Sequence, residues 1–314
     1  MPAPPEPSAN PIEAELIAVV VAVTENEPRV LTIRAGRLLP SGPFETEHRT
    51  LQAGLRAWVE RQTHHPLGYV EQLYTFADRD RSAEGAERRV ISISYLGLAR
   101  QSGAAGTDGG SWRSWYWFFP WEDWRSGPPE SIARTIAPRL RAWAAAAPDS
   151  ATRRARLARV RVNFGLASLP WNEELVLQRY ELLFEAGLVP EATRQGGGAV
   201  AVAPGEMMQH DHRRILATAI ARLRAKIKYR PVIFELMAPG FTLLQLQRAV
   251  EALAGQPLHK QNFRRLVDSQ ALLEETGEVE TETGGRPAKM FRFRQQVLLE
   301  RAIAGTKLPL IRSA

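Results

Sequence analysis

The stretch Leu258–Arg294 constrains the fold of this 314-residue chain more than any other feature. Its first part, His259–Gln270, repeats apolar residues at the spacing of a helix, with charged and amide side chains between them. A strand-like segment and a glycine-rich turn follow, and the stretch ends on Lys289–Arg294, where apolar and basic residues alternate. The apolar positions of the predicted helix are Phe263, Leu266 and Val267. The sequence therefore predicts a short helix backed by a β-hairpin.

Helix, strand, basic turn and strand is the element order of a winged helix, and the polar residues of this stretch suit DNA. Arginine and lysine can donate to guanine O6 and N7, and glutamine and asparagine can pair with adenine in the major groove. The turn around Arg286 is narrow enough to place one guanidinium group in the minor groove. The predicted DNA-contacting residues are Lys260, Gln261, Asn262, Arg264, Arg265, Arg286 and Lys289.

The charge distribution also favours a nucleic-acid partner for this end of the chain. Residues 209–314 contain 18 Lys and Arg against 10 Asp and Glu, a net charge of +8, whereas residues 1–208 have a net charge of −1. The alternative is a surface helix with a hairpin that contacts another protein. A protein-contact module has no need for an unpaired arginine at its turn, so Arg286 favours DNA.

Composition excludes several other classes of protein. The chain has no cysteine, which excludes a disulfide scaffold, a cysteine-ligated zinc site and a cysteine nucleophile, and suits the reducing cytoplasm. The first residues, MPAPPEPSANP, have no basic region before an apolar run and predict no signal peptide. The longest apolar run, Leu16–Val23, is too short to span a bilayer, so no membrane partner is expected.

Before the basic third, the pattern predicts two strands, a loop rich in proline and glycine, one helix and two further strands. Thr50 is the expected N-cap of the helix. The first strand is nearly continuous in apolar residues, which is typical of a buried central strand. These elements span Glu13–Thr24, Arg29–Arg34, Leu51–Gln62, Gly68–Phe76 and Arg89–Ala99.

This order resembles the opening of a Nudix domain, and the spacing of the Nudix box is kept from Gly42 to Arg61. In that family the glutamates of the box hold a divalent metal that assists hydrolysis of a pyrophosphate. Here His48, Ala57 and Arg61 stand at glutamate positions, and only Glu60 remains. The resemblance implies a Nudix scaffold that is not an enzyme and keeps a cleft for a nucleoside diphosphate joined to another group.

Residues 111–129 hold five of the eight tryptophans. Such a segment is either part of the core or a platform on which a base stacks. The favoured interpretation is a strand from Trp115 to Trp121 packed on the sheet, which leaves Trp112, Trp124 and Arg125 as better ligand candidates. The full set of predicted ligand-binding residues is Arg37, Arg56, Glu60, Trp112, Trp124 and Arg125.

Helical patterns dominate the rest of the chain. The run Arg153–Arg161 has five arginines, which could touch DNA phosphates but more simply form a solvated or interface face. The glutamates of the next helix have no histidine or aspartate at ligand spacing, so no metal site is predicted. His210 and His212 are two residues apart and do not share a helix face. Helices are predicted over Glu130–Ala147, Trp171–Gly187, Gln209–Lys228, Pro231–Met237 and Thr242–Ala254.

The whole arrangement resembles the Nudix-related transcriptional regulators of NAD metabolism. The matching segments are RRILATAIARLRAKIKYRPVIFELMAPGFTLLQLQRAVEALAG, LHKQNFRRLV and TGGRPAKMFRF. The middle segments WYWFFPWEDWR and WNEELVLQRYELLFEAGLVPEA depart from that group and are more similar to the NadQ-type repressors of NAD biosynthesis genes. The resemblance implies a homodimer on a palindromic operator, with an NAD-related or adenine nucleotide as effector and no required cofactor.

The predicted fold class is α+β, with a Nudix-like mixed-sheet α/β/α sandwich, a helical segment and a C-terminal winged helix. The predicted limits are a disordered N-terminus at 1–12, the effector domain with a helical insertion at 13–192, a linker at 193–208 and the DNA-binding domain at 209–314. The expected function is a repressor of NAD biosynthesis genes. The alternatives are a Nudix-type hydrolase of ADP-ribose or a dinucleotide with an accessory basic domain, and a scaffold protein.

Overall fold

The computed structural model describes residues 12–77, 89–100, 110–195, 203–229, 232–281 and 287–294, which form two sheets and eight α-helices. The strands are β1 (Ile12–Thr24), β2 (Glu27–Ile33), β3 (Ser41–Pro43), β4 (Tyr69–Phe76), β5 (Arg89–Leu98), β6 (Gly110–Ser114), β7 (Phe241–Thr242), β8 (Leu273–Glu280) and β9 (Ala288–Phe293). The helices are α1 (Leu51–Thr63), α2 (Trp115–Phe118), α3 (Ala137–Ala145), α4 (Ser150–Phe164), α5 (Val176–Glu185), α6 (His212–Tyr229), α7 (Leu243–Ala254) and α8 (Lys260–Ser269). Within this part of the chain, no helix is long and apolar enough to cross a membrane.

The larger sheet is mixed and has β1 at its centre. Its strand order is β4-β5-β1-β2-β6, with β3 paired to β1. Strands β1 and β5 are parallel, and the other pairs are antiparallel. The apolar run Leu16–Ala22 is buried throughout, which confirms the predicted central strand.

Alternate residues of β1 supply two separate cores, because successive side chains of a strand point to opposite faces. Leu16 and its even-numbered neighbours pack with Leu55 and Val59 of α1. Ile17 and Val19 face the other side and join a second cluster, to which α5, α6 and α7 contribute. The sheet is therefore covered by helices on both faces, as the predicted sandwich requires.

Local signals placed α1 and α7 correctly. The Thr50 hydroxyl oxygen accepts a hydrogen bond of 3.1 Å from the Ala53 N–H and caps α1. Thr242 caps α7 in a capping box with Gln245. Gly255 ends α7 with a φ of +73°, a conformation that glycine adopts without strain.

The predicted strand from Trp115 to Trp121 is wrong, and its interpretation as core is confirmed for Trp115, Phe119 and Trp121 but not for the exposed Trp117. Only Gly110–Ser114 is extended, and Trp115–Phe118 turns into α2. The Ser114 hydroxyl accepts from the Tyr116 N–H and starts that turn. A 3₁₀ turn at Pro120–Glu122 follows. The fully buried aromatic residues of this segment are Trp115, Phe118, Phe119 and Trp121.

Two predicted helices are shorter than expected. The helix predicted from Trp171 begins only at Val176, because the Asn172 side chain accepts from the Glu174 N–H and holds the preceding residues in a local turn. The segment before β7 forms only a 3₁₀ turn, Val232–Glu235.

The C-terminal elements follow the predicted winged-helix order. Helices α7 and α8 are followed by the antiparallel pair β8 and β9, and β7 adds a third strand in the order β7-β9-β8. The predicted turn residue Arg286 lies outside the described residues.

One hydrophobic cluster runs through both parts of the molecule. It extends from Ile17 in the larger sheet to Leu253 in α7 and Phe293 in β9. Helix α6, which the predicted limits assign to the DNA-binding domain, contacts β1 and β4 as well as α7. The domain limits remain a prediction, because the core has no break at residue 209.

Candidate nucleic-acid interface and effector cleft

Helix α8 presents a cationic face to solvent. Phe263 and Val267 hold the helix on the core, and its first turn has no side-chain cap. Within the described residues, none of the polar side chains opposite has a hydrogen bond or ion pair. These exposed side chains are Lys260, Gln261, Arg264 and Arg265, four of the predicted DNA contacts.

Asn262 lies apart from that face. With His259, Phe263 and Leu266 it lines a cavity of about 700 Å³ between α6, α7 and α8. These four residues recur at the spacing of one helix face, and Asn262 is therefore turned away from the cationic side. Its predicted contact with adenine remains a prediction.

The hairpin carries cations that are already paired. Lys289 Nζ lies 2.8 Å and 3.0 Å from the two carboxylate oxygens of Glu275 on the neighbouring strand. Arg292 Nε lies 2.7 Å from a Glu274 oxygen in the same way. The predicted DNA contact Lys289 thus has an exposed carboxylate partner with which DNA would compete.

The helix at the position of the Nudix box packs through an aromatic side chain. The Trp58 indole covers Gly42 so closely that a Cβ added there would lie 2.3 Å from ring atoms. Trp58 Nε1 donates to the Pro43 carbonyl at 2.9 Å, and the Arg61 guanidinium lies 4.6 Å from the Trp58 ring centroid. Glu60 is exposed on the same helix. In the described residues, no group of three or more His, Asp or Glu is arranged to hold a metal ion.

The six predicted ligand residues are not brought together. Arg56 donates to the carbonyls of Leu67 and Gly68 and so fixes the loop after α1. Trp112 packs in the core on the α1 side, with its ring edge-on to His65 at 5.6 Å. Its buried Nε1 has no hydrogen-bond partner in the described part of the chain. Arg37 is exposed, and its backbone carbonyl accepts from the Gln209 N–H.

Trp124 and Arg125 belong to the opposite side of the sheet. The Trp124 ring stacks on Trp171 at 4.3 Å, and its backbone N–H donates to the Gly255 carbonyl at 2.7 Å. Arg125 pairs with Asp123 and Glu27 at 2.8 and 2.7 Å. Both side chains already have structural partners, so a shared ligand platform with Arg56 and Glu60 is not formed.

A buried ion network, which we call the Glu122 network, was missed by the sequence analysis. Both Glu122 carboxylate oxygens accept from Arg179, at 2.6 and 2.7 Å, and one also accepts from Arg224 Nη1 at 2.7 Å. All three side chains are fully buried. Burial lowers the pKa of Arg179, and the neighbouring Glu122 carboxylate opposes that shift.

The Glu122 network connects the turn Pro120–Glu122 and helices α5 and α6 to the end of α7. Arg224 Nε donates to the Leu253 carbonyl at 2.9 Å. The Tyr116 hydroxyl donates to the Ala252 carbonyl at 2.6 Å, and burial raises the pKa of Tyr116. The last turn of α7 is therefore held by side chains from both parts of the chain.

Arg213 and Arg224 lie on the buried side of α6, although arginines in a helix are usually exposed. Arg213 is buried and pairs with Glu191 at 3.1 Å, and Arg224 belongs to the Glu122 network. The two arginines are eleven residues apart, about three helical turns, which places them on one side with the buried Ile220. That spacing was the available signal.

His212, at the start of α6, is also buried. Its Nδ1 accepts from the Leu39 N–H at 2.9 Å. Burial, aided by the nearby His210, lowers the pKa of His212 from 6.5 to about 3. The imidazole is therefore neutral near pH 7 and acts as a hydrogen-bond acceptor.

Comparison with known sequences identifies the C-terminal segment. Residues 233–293 match the NrtR DNA-binding winged helix domain. The ADPR responsive transcriptional repressor NtrR of Acinetobacter baylyi is 40% identical over 86 residues, which are 27% of this chain and 34% of the repressor. The chain thus matches about a third of the length of that relative. The predicted closer resemblance to NadQ-type repressors remains a prediction.

Solved structures resemble the chain over most of its length. NrtR of Shewanella oneidensis has a TM-score of 0.52 and 20% identity, and the match covers 90% of this chain and 95% of that protein. The same protein complexed with a 27mer DNA has a TM-score of 0.50. A MutT/nudix family protein from Enterococcus faecalis has a TM-score of 0.54 and 15% identity, covering 93% of this chain and 90% of that protein. The chain therefore combines a Nudix-like α/β fold with an NrtR-type DNA-binding winged helix at residues 233–293.

Proposed function

We propose that this protein is a transcriptional repressor that binds DNA through α8 and senses a nucleotide through its Nudix-like part. The observation that carries the proposal is the exposed cationic face of α8, which lies inside the segment that matches a DNA-binding winged helix family. Lys260, Arg264 and Arg265 have no carboxylate partner in the described residues, so their donors are available to phosphates and guanine edges.

The proposed assembly is a homodimer on a palindromic operator. In helix-turn-helix dimers the two recognition helices enter successive major grooves, about 34 Å apart. One α8 provides few contacts, and two copies would multiply both affinity and the salt dependence of binding. NAD biosynthesis genes in the cytoplasm remain the proposed target.

ADP-ribose is the first candidate effector, because the A. baylyi relative is named an ADPR responsive repressor. The α1 side of the sheet is the proposed cleft, where Trp112 offers a buried N–H without a partner in the described residues. An unpartnered buried donor costs about 1–3 kcal/mol, which a ligand acceptor would recover. Arg37, Arg56 and Glu60 lie on exposed or half-buried surface and remain candidates.

The proposed role excludes hydrolysis. Arg61 brings a cation to a position that carries a metal-binding glutamate in Nudix enzymes, and it stacks on Trp58. Glu60 alone provides too few carboxylate ligands to hold the divalent metal that would neutralise a pyrophosphate.

The test is selection of a DNA site from a randomised duplex pool, followed by fluorescence anisotropy with the selected and a scrambled duplex. Binding of the selected duplex alone, with a steep salt dependence and a shift on adding ADP-ribose, is the expected result. NAD and ATP serve as matched nucleotide controls. Failure to enrich any sequence would contradict the repressor, and Mg²⁺-dependent cleavage of ADP-ribose would contradict the loss of hydrolysis.

A further inference from the structure

One segment of the helical insertion has a large net positive charge. We call residues 131–165, which comprise the turn Ile132–Ile136, α3 and α4, the basic hairpin. It holds eight arginines against the single acid Asp149, a net charge of +7, which equals the net charge of the entire chain. The arginines are Arg134, Arg139, Arg141, Arg153, Arg154, Arg156, Arg159 and Arg161. Residues 1–208 have a net charge of −1, so without the basic hairpin these residues have a net charge of −8.

Three of these arginines have structural partners. Arg134 pairs with Glu130 at 3.0 Å, and Arg159 pairs with Glu185 at 2.5 Å. Arg156 donates to the Trp143 carbonyl at 3.1 Å and stacks over that ring at 4.1 Å. Arg159 thereby connects α4 to α5, and Arg156 connects α4 to α3.

The other five arginines face solvent without a carboxylate in the described residues. Arg154 reaches only the Ser150 hydroxyl, at 3.4 Å. It lies seven residues before Arg161, about two helical turns, so both occupy one side of α4. The exposed arginines with no side-chain hydrogen bond or ion pair in the described part of the chain are Arg139, Arg141, Arg153 and Arg161. Like charges gathered in this way repel one another unless an anion binds.

The basic hairpin ends close to the winged helix. The Asn163 carbonyl, in the last turn of α4, accepts from Arg179 of the Glu122 network at 3.0 Å. Glu173, ten residues further along the chain, lines the same cavity as His259, which precedes α8. Helix α4 extends about 22 Å from this point, since each of its 15 residues adds about 1.5 Å.

We propose that the basic hairpin is a second DNA contact, which binds phosphates of the duplex beside the stretch that α8 reads. This inference rests on the proposed DNA-binding function. B-DNA carries about one phosphate charge per 1.7 Å, so the length of α4 spans about a dozen phosphates. A protein partner is less suited to this surface, because interfaces need an apolar centre. Between Arg153 and Arg161 the exposed residues other than arginine are Ala155 and Ala158, which provide no large apolar side chain.

The test compares Arg154→Gln/Arg161→Gln with the control Arg34→Gln/Arg49→Gln, which removes the same charge from exposed positions outside the hairpin. Both full-length variants are melted beside the wild type to verify folding. Hydroxyl-radical footprints on a long duplex that carries the selected site are then recorded. The hairpin variant is expected to keep protection at the centre of the site and to lose it at outer phosphates. Its affinity should fall about tenfold, with a shallower salt slope, while the control matches the wild type.

Three outcomes would overturn the proposal. If the hairpin variant protects the outer phosphates as the wild type does, and its affinity depends on salt to the same extent, the hairpin does not touch DNA. A change in sedimentation from dimer to monomer in the hairpin variant, with footprints altered throughout, would assign the surface to a second copy of the chain. Absence of wild-type binding would defeat the repressor and the hairpin contact together. The first outcome, observed together with wild-type binding, would defeat the hairpin contact alone.

Discussion

Helix α8 and the Glu122 network use the same kind of side chain in opposite ways. On α8, Arg264 and Arg265 are exposed and have no carboxylate partner in the described residues. In the network, Arg179 and Arg224 are fully buried and share the carboxylate of Glu122. The comparison teaches that net charge locates a basic segment without saying which cations face a partner. A cation is available to DNA only where the fold gives it neither burial nor a carboxylate.

The largest effect is expected at the centre of the network. Glu122→Gln removes the anion between two buried guanidinium groups, which should lower the free energy of unfolding by about 3–5 kcal/mol. Urea denaturation measures this change. Glu185→Gln, which breaks the exposed pair with Arg159, is the control and should shift it by less than about 1 kcal/mol. Equal effects of the two variants would mean that burial does not distinguish the two kinds of ion pair.

Substitution of the exposed arginines of α8 should weaken DNA binding strongly without lowering the free energy of unfolding. Each arginine that hydrogen-bonds a base should provide about 1–3 kcal/mol of binding free energy, so Arg264→Gln/Arg265→Gln should weaken binding to the selected duplex accordingly. The urea midpoint should stay within the range of surface substitutions. Anisotropy and urea titrations on the same preparation separate the two. Destabilisation with unchanged affinity would mean that these arginines support the fold instead of binding DNA.

Acid should lower the free energy of unfolding through His212, which is buried at the start of α6. The folded pKa of His212, about 3, lies below its ordinary value of 6.5 because of burial. Unfolding therefore takes up a proton at mildly acidic pH. The contribution of neutral His212 to the free energy of unfolding is fully present above about pH 6.5 and is lost progressively as pH falls towards 3. At pH 5 the loss should be about 2 kcal/mol.

Urea titrations at pH 7 and pH 5 measure this loss. His212→Asn keeps an acceptor for the Leu39 N–H and should remove most of the His212 contribution to the pH dependence. An unchanged difference between the two pH values in that variant would assign the loss to other groups.

The smallest effect is expected on the β8–β9 hairpin. Lys289 is already paired with Glu275 on an exposed surface, so Lys289→Gln should change DNA affinity by less than about 1 kcal/mol. Glu275→Gln should release Lys289 and slightly strengthen binding at low salt. Anisotropy at two salt concentrations checks both. A decrease in affinity as large as that of the α8 variant would mean that DNA displaces Glu275 and uses Lys289 fully.

Elements set by local chemistry could be predicted from the sequence. Thr50, Thr242 and Gly255 mark helix ends through hydrogen bonds to neighbouring residues, and the structure places them as expected. The apolar spacing of α8 correctly identified its buried residues Phe263 and Val267, whereas the third predicted apolar residue, Leu266, is exposed. The strand predicted for the tryptophan segment is wrong, because alternation of aromatic residues does not reveal the turn that Ser114 starts.

Contacts between distant residues could not be predicted in this way. Glu122 and Arg224 are 102 positions apart, and no local pattern links them. The side of the sheet that a residue occupies depends on strand register, which placed Trp112 opposite Leu31 and on the α1 side. The predicted effector residues were therefore collected from both faces of one sheet.

The shared end of α7 bears on how the winged helix could be transplanted to another protein. A cassette that began at residue 233 would carry the family-matched winged helix to a new sensor. It would leave behind Tyr116, Trp124 and Arg224, the donors to the carbonyls of Ala252, Gly255 and Leu253 respectively. Those carbonyls lie just before α8. A chimaera that keeps α8 in its present position must therefore also contain these three donors. Transfer of residues from 233 onward alone should leave α8 misplaced.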